Sequence, residues 1–186
     1  MSMQINYEVD QAELAAVVNK LGSLKYKAPT VIARALNRTA TTARKDLGIK
    51  AKARYTLKSA GFKKNMAIKK ANAGNLEADI ESKGSPISIV RFHTTAPKKQ
   101  GGKANIVKGN GLKQLNYGGI KAFIGPNAQM YQRRSDKRLP IKRLSSVSIP
   151  KMLENQNVYG ETKPVIEQNL HHYLEQQVEV LLAQGG

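Results

Sequence analysis

The 186-residue chain contains no cysteine, no tryptophan and only three phenylalanines. Without cysteine there is no disulfide framework, no thiolate zinc site and no thiol nucleophile. So few aromatics imply a modest, aliphatic core, with part of the chain left to be ordered by partners. No apolar run approaches the roughly 18–20 residues that span a bilayer, and no membrane partner is expected. The opening Met1-Ser2-Met3-Gln4-Ile5 shows no basic stretch followed by an apolar one, so no signal peptide is read there. A soluble protein made in a cytoplasm is the expectation.

Catalytic material is equally sparse. The three histidines are His93, His171 and His172, and none lies in a recognisable nucleophile setting. His171 is four residues from both Glu167 and Glu175, a spacing that places potential metal ligands on one helix face. A solvated polar face is the preferred reading of that spacing. Gly109-Asn110-Gly111 lacks the Gly-Lys-Ser/Thr that completes a phosphate-binding loop. No enzyme, cofactor or metal is expected.

Acids are missing mainly where bases are dense. The net charge is +18, and it is packed into two blocks. Lys25 to Asn72 carries fourteen Lys/Arg against Asp46 alone, and Arg91 to Arg143 carries thirteen against Asp136 alone. The stretches 1–24, 73–90 and 144–186 are each slightly acidic, and Ser82 to Ser135 has no Asp or Glu at all. Such blocks repel themselves and point to a polyanion or to acidic partner surfaces.

The hydrophobic pattern predicts an α+β fold: long N-terminal basic helices, a small antiparallel sheet with an extended Gly/Lys-rich loop, and a C-terminal amphipathic helix. Ile5, Tyr7 and Val9 alternate as in a strand. Asp10 and Glu13 form a capping box for a helix carrying Leu14, Val17, Val18 and Leu21, which stops at Gly22. A second helix opens at Pro29 with the stripe Ile32, Leu36, Ala40, Ala43, Leu47. Gly48 is expected to break or kink it, with helical pattern resuming between Lys50 and Lys70. Around Ser59-Ala60-Gly61 there is a weak suggestion of a helix-turn-helix.

Leu76, Ala78 and Ile80 alternate with acids, as in a half-buried strand. Gly84-Ser85-Pro86 turns the chain, and Ile87 to Phe92 is expected to return as a strand. Residues 93–119 hold six glycines and five lysines with little periodicity, and are expected to form a flexible basic arm or loop within a single domain spanning 1–186. Ile120 to Ile124, closed by Gly125-Pro126-Asn127, should pair with Gln129 to Arg133. Pro140 belongs at a strand start or edge. The last helix runs from about Pro164 to Ala183 on the stripe Ile166, Leu170, Leu174, Val178, Leu181. Strands in series need no crossover helices, so the sheet is antiparallel.

Two segments carry a family resemblance. Ala35-Leu36-Asn37-Arg38-Thr39-Ala40 is one. Arg138-Leu139-Pro140-Ile141-Lys142-Arg143-Leu144, followed by Val147-Ser148-Ile149-Pro150-Lys151-Met152, is the other. With Pro86-Ile87, Arg91-Phe92, Phe123-Ile124 and Met130-Tyr131-Gln132-Arg133 in the same order, they resemble the prophage minor tail protein Z family over roughly residues 30–155. The motif residues are Asn37, Arg38, Arg91, Phe92, Leu139, Pro140, Ile141 and Pro150. Ser145-Ser146 stands where the family pattern has Gly-Pro.

The resemblance implies a structural virion protein of a long-tailed phage. Such a protein completes the tail and joins it to the head connector, with other tail and connector proteins as partners. It implies a place at the head-proximal end of the tail, after assembly in the host cytoplasm. It also implies a homo-oligomeric ring, hexameric by the symmetry of tails, with genomic DNA passing through the lumen. Lys98, Lys99, Lys103, Lys108, Lys113, Arg133 and Arg134 are the candidate contacts to DNA or to a neighbouring subunit. The alternative is a sequence-independent DNA-binding protein acting free in the cytoplasm, which requires duplex affinity falling steeply with salt.

Overall fold

The computed structural model describes residues 1–58, 61–125 and 127–185. Strand β1 (Ser2–Glu8) leads into helix α1 (Gln11–Leu21), whose start is fixed as the sequence predicts. Asp10 accepts from the Glu13 backbone N–H at 2.7 Å, while the Glu13 carboxylate accepts from the Asp10 N–H at 3.4 Å. Gly22 ends α1 at a φ of +52°, a conformation that disfavours a side chain.

A short 3₁₀ stretch then feeds helix α2 (Ala28–Arg54), with Pro29 in its first turn. Ile32, Leu36, Ala40, Ala43 and Leu47 are completely buried, as is Ala51 one turn further on. Gly48 does not break the helix, which runs on without interruption to Arg54. The buried neighbours Leu47 and Ala51 hold it in register, and burial of that stripe outweighs a helix cost of about 1 kcal/mol for one glycine.

The helical pattern expected as far as Lys70 ends at Arg54. Beyond it lie the single turn α3 (Gly61–Lys64) and strand β2 (Met66–Lys69). A recognition helix needs more than one turn, and Ser59-Ala60 of the suggested turn lie outside the described residues. Strand β3 (Glu77–Lys83) is the centre of an antiparallel sheet ordered β1-β3-β2. Its inward residues Ala78, Ile80 and Ser82 are buried. Helix α5 (Glu161–Gly185) packs along α2 through Ile166, Leu174, Val178 and Leu181, with Leu170 half-buried. Pro164 sits in its first turn, so the helix begins slightly earlier than the sequence suggests.

The second part of the fold is a small β extension. Ile87 to Phe92 does not return as a strand: Ser88 makes one bridge to Ser145, and Ile89–Arg91 turn in a 3₁₀ helix. A short segment with four apolar residues among six fits either form, and here it curls so that Ile89 enters a second core while Ile87 and Phe92 join the first. Within 93–119 the structure places β4 (His93–Thr95), β5 (Lys103–Asn105) and β6 (Lys113–Gln114) in one antiparallel sheet. β7 (Asn116–Tyr117) and β8 (Ile120–Lys121) form a tight hairpin. β9 (Phe123–Ile124), β10 (Met130–Arg133) and β11 (Ile141–Arg143) form a third sheet, with β10 in the centre. The pairing of β9 with β10 matches the expectation, and Pro140 immediately precedes β11 as its missing donor requires. Pro126 of the expected turn lies outside the described residues.

Ile89, Ala104, Ala122 and Met130 are the buried centre of this extension, while Ile106 touches both cores. Backbone bonds join the two parts: Thr56 N–H to Ile106 O at 3.0 Å, Lys108 N–H to Arg54 O at 2.8 Å, and Lys58 N–H to Arg91 O at 2.9 Å. The chain returns through α4 (Ile149–Leu153), with buried Pro150 in its first turn, to the start of α5.

Candidate nucleic-acid interface

Charge is handled differently in the two parts. Ion pairs in the helical body join Lys50 to Glu161 at 2.8 Å, Lys20 to Glu175 at 3.7 Å, and Lys163 to Glu167 at 3.8 Å, with Lys69 and Lys83 both on Glu81. The Lys69 hydrogen bond and charge hold the Glu81 carboxyl below the usual carboxylate range, and Lys50 does the same for Glu161. His171 Nδ1 meets Glu13 Oε1 at 2.8 Å across to α1, and not the two acids on its own helix, which pair with lysines. Among the described residues, no ion pair involves residues 92–143. Where cations of residues 92–143 find partners among the described residues, those partners are carbonyls, amides and rings rather than carboxylates.

The family-motif residues divide into two groups. Asn37 and Arg38 are structural fasteners: Asn37 binds the Ala71 backbone, and Arg38 reaches α5, donating to Gln176 Oε1 at 2.8 Å with its guanidinium 5.0 Å from the centre of the Tyr173 ring. Phe92 and Pro150 are buried, and Arg91 lies in the 3₁₀ turn. Leu139, Pro140 and Ile141, by contrast, form an exposed turn with a cis Leu139–Pro140 bond. Ser145-Ser146, where the chain departs from the family pattern, is extended: Ser146 N–H donates to Ile87 O at 2.7 Å, and Leu144 O accepts from Ile89 N–H at 3.2 Å.

The candidate contact residues also separate. Lys98 and Lys99 follow β4 and line an open recess with Lys121, Phe123 and Ile124. Lys103 donates to Gln100 Oε1 at 3.0 Å, and Lys113 sits exposed in the edge strand β6. Lys108 stands apart: its ammonium donates to Lys52 O at 2.9 Å, against the carbonyl end of α2, where a cation is favoured. Arg133 lies with its guanidinium 5.4 Å from the centre of the Phe123 ring and donates to Arg138 O.

Arg134 begins the β10–β11 turn and lines a second recess with Tyr117, Gln132, Arg133, Lys142 and Leu144. The sequence singled out neither Lys121, Gln132 nor Lys142 as a partner in these recesses. Only strand register brings Lys142 opposite Gln132, and no periodic signal foretells that pairing.

A surface of this kind can bind polyanions through charge and hydrogen bonds; no described cluster of His, Asp and Glu is arranged to hold a metal. No helix of the described residues is long and apolar enough to cross a membrane. No curated protein and no solved structure matches the chain. The model of the family described as prophage minor tail protein Z (GPZ) matches residues 13–184, which takes in both parts of the fold. With that span covered, the chain belongs to the prophage minor tail protein Z family.

Proposed function

We propose that this structural protein of the phage tail works at the head-proximal end, where it completes the tail and joins it to the head connector. Several copies form a closed ring, a hexamer in keeping with tail symmetry, and the genomic DNA passes through its opening. The observation that carries this reading is the uneven charge pairing. The helical body pairs some of its lysines (Lys20, Lys50 and Lys163) with carboxylates, whereas residues 92–143 make no ion pair among the described residues. Ring interfaces are heterologous, one face of a subunit meeting a different face of the next. A body with partly paired charges suits contact between subunits, and the basic extension, without ion pairs, suits the DNA path or an acidic face of the connector.

Electron microscopy of purified tails and virions carrying a labelled copy of the chain tests the reading. Label at one end of free tails, and at the head–tail junction of virions, is expected, with about six copies per particle by quantitative mass spectrometry. Label confined to non-virion fractions and to chromosomal DNA would replace this reading with that of a free DNA-binding protein.

A further inference from the structure

The recess between the β7–β8 hairpin and the β10–β11 hairpin has the construction of a binding cleft. The β7–β8 turn is made by Gly118 and Gly119 at φ +57° and +78°, the left-handed pair that a two-residue hairpin needs. This tight turn carries Tyr117 at its tip, 80% exposed. The hairpin is tied down by Gln132, whose Nε2 donates to Ile120 O at 2.7 Å. Strand alternation puts Gln132, Lys142 and Leu144 on one face of β10–β11, and Arg134 continues that face. Arg133, between Gln132 and Arg134, still borders the recess but directs its guanidinium over the Phe123 ring.

Tyr117, Arg134 and Lys142 thus converge from three strands and turns on one groove floored by half-buried Leu144. Neither the Arg134 guanidinium nor the Lys142 ammonium has a side-chain hydrogen bond or ion pair among the described residues. Asp136, the one acid of the block, makes no ion pair with either.

We infer that this cleft binds the backbone of duplex DNA, with Arg134 and Lys142 on phosphates and the Tyr117 ring against the sugar edge between them. The inference rests on the basic extension being the DNA-facing part of the protein. An acidic protein partner is the other polyanion to consider. Protein interfaces are built on a buried apolar centre with a polar rim, whereas DNA interfaces are polar and positive throughout. Here three of the six lining residues are cations, none is a carboxylate, and Leu144 is the one aliphatic side chain, so the recess lacks the apolar cluster on which a protein interface is centred. An arginine fork presents paired donors to a phosphate, and a lysine adds a point charge without sequence preference.

Fluorescence anisotropy of the full-length protein with a labelled 20-base-pair duplex, at a series of salt concentrations, tests this. In the double variant R134A/K142A the slope of log affinity against log salt should become shallower by about 2, since each lost phosphate contact releases roughly one counterion fewer. Y117A should weaken binding several-fold and leave the slope unchanged, because a ring contact releases no counterion. K98A/K99A removes the same charge from the neighbouring recess and should change the slope by much less. All three cleft side chains are exposed or at a hairpin tip, so melting temperatures should match the parent and thus separate lost contact from lost fold.

Equal slope changes from the two double variants would mean a diffuse basic surface and overturn the inference. Poly-glutamate competing as well as DNA of equal charge would overturn it in favour of an acidic polypeptide. A parent protein without duplex affinity at low salt would also overturn it, while labelled tails would still decide the tail position separately.

Discussion

Asn37 in the middle of α2 and the backbone of Ala71 hold each other through two hydrogen bonds, each 2.9 Å long. Asn37 Nδ2 donates to Ala71 O, and Asn37 Oδ1 accepts from Ala71 N–H. The side-chain amide thereby replaces the strand partner that Ala71 lacks just after β2 ends. It fixes where the chain leaves the sheet and crosses the long helix. Asn37→Ala leaves both backbone groups half-buried and unpaired, and is expected to cost about 2 kcal/mol. Asn37→Asp should not rescue, because a carboxylate can accept from Ala71 N–H but faces Ala71 O without a donor. Urea unfolding checks this: both variants should shift the midpoint down with an unchanged slope.

Two residues along the same helix, Thr39 is completely buried and its hydroxyl has no hydrogen-bond partner among the described residues. Valine has the same branched shape without the polar atom. Thr39→Val should therefore stabilise the protein by about 1 kcal/mol, removing the cost of an unanswered buried hydroxyl. For a chain of this length that corresponds to a rise of roughly 2–4 °C in melting temperature, read by calorimetry.

These helical features were the legible part of the sequence. The stripe from Ile32 to Leu47 and the Asp10/Glu13 capping box follow from 3.6-residue periodicity and local chemistry, and the structure has both. Sequence reasoning erred where tertiary context decides. Lysine- and alanine-rich composition suggested helix up to Lys70, yet Met66 to Lys69 completes a sheet through its register with β3. Ile87 to Phe92 is short and largely apolar, a pattern shared by strands and tight turns, and while both its ends join the main core, Ile89 between them enters the second. The cleft was not readable at all, since Tyr117, Arg134 and Lys142 meet only through hairpin pairing and the Gln132–Ile120 tie. Lys108 shows the same limit: composition groups it with the other arm lysines, but geometry assigns it to the end of α2.

The Lys50–Glu161 pair links α2 to the start of α5 and gives a pH signature. The Lys50 hydrogen bond and charge, with a smaller contribution from Arg54, hold the Glu161 carboxyl below its ordinary value. A depressed folded-state value means stabilisation that is complete above the unfolded value of about 4.3 and is lost as pH falls through the folded one. Lys50→Met should raise the Glu161 titration towards the ordinary range without fully restoring it, because Arg54 remains. Side-chain carboxyl NMR across pH 2–6 measures the shift. The stability difference between parent and variant should be present at neutral pH and vanish in acid. A difference that persists at pH 2 would show that Lys50 acts through packing.

The β extension offers a test of how far the two parts of the fold depend on each other. Gly102 precedes β5, and its N–H donates to Ala122 O at 2.7 Å while its carbonyl accepts from Leu115 N–H at 2.8 Å. A Cβ at this position would lie 2.8 Å from Met130 Sδ and 3.0 Å from Ala122 Cβ, inside the small second core. The methionine can swing aside, but the methyl of Ala122, between β8 and β9, moves only with its backbone. Gly102→Ala should therefore destabilise by about 1–3 kcal/mol through overpacking. The strain falls on Ala104, Ala122 and Met130, none of which belongs to the α2–α5 core, which meets this cluster through partly buried Ile106. Hydrogen exchange should accelerate at Gly102, Leu115 and Ala122, with amides of Ala35 to Leu47 keeping their protection. If the helix amides lost protection equally, the bonds from Thr56, Lys58 and Lys108 would be transmitting the damage, and the two cores would unfold as one unit.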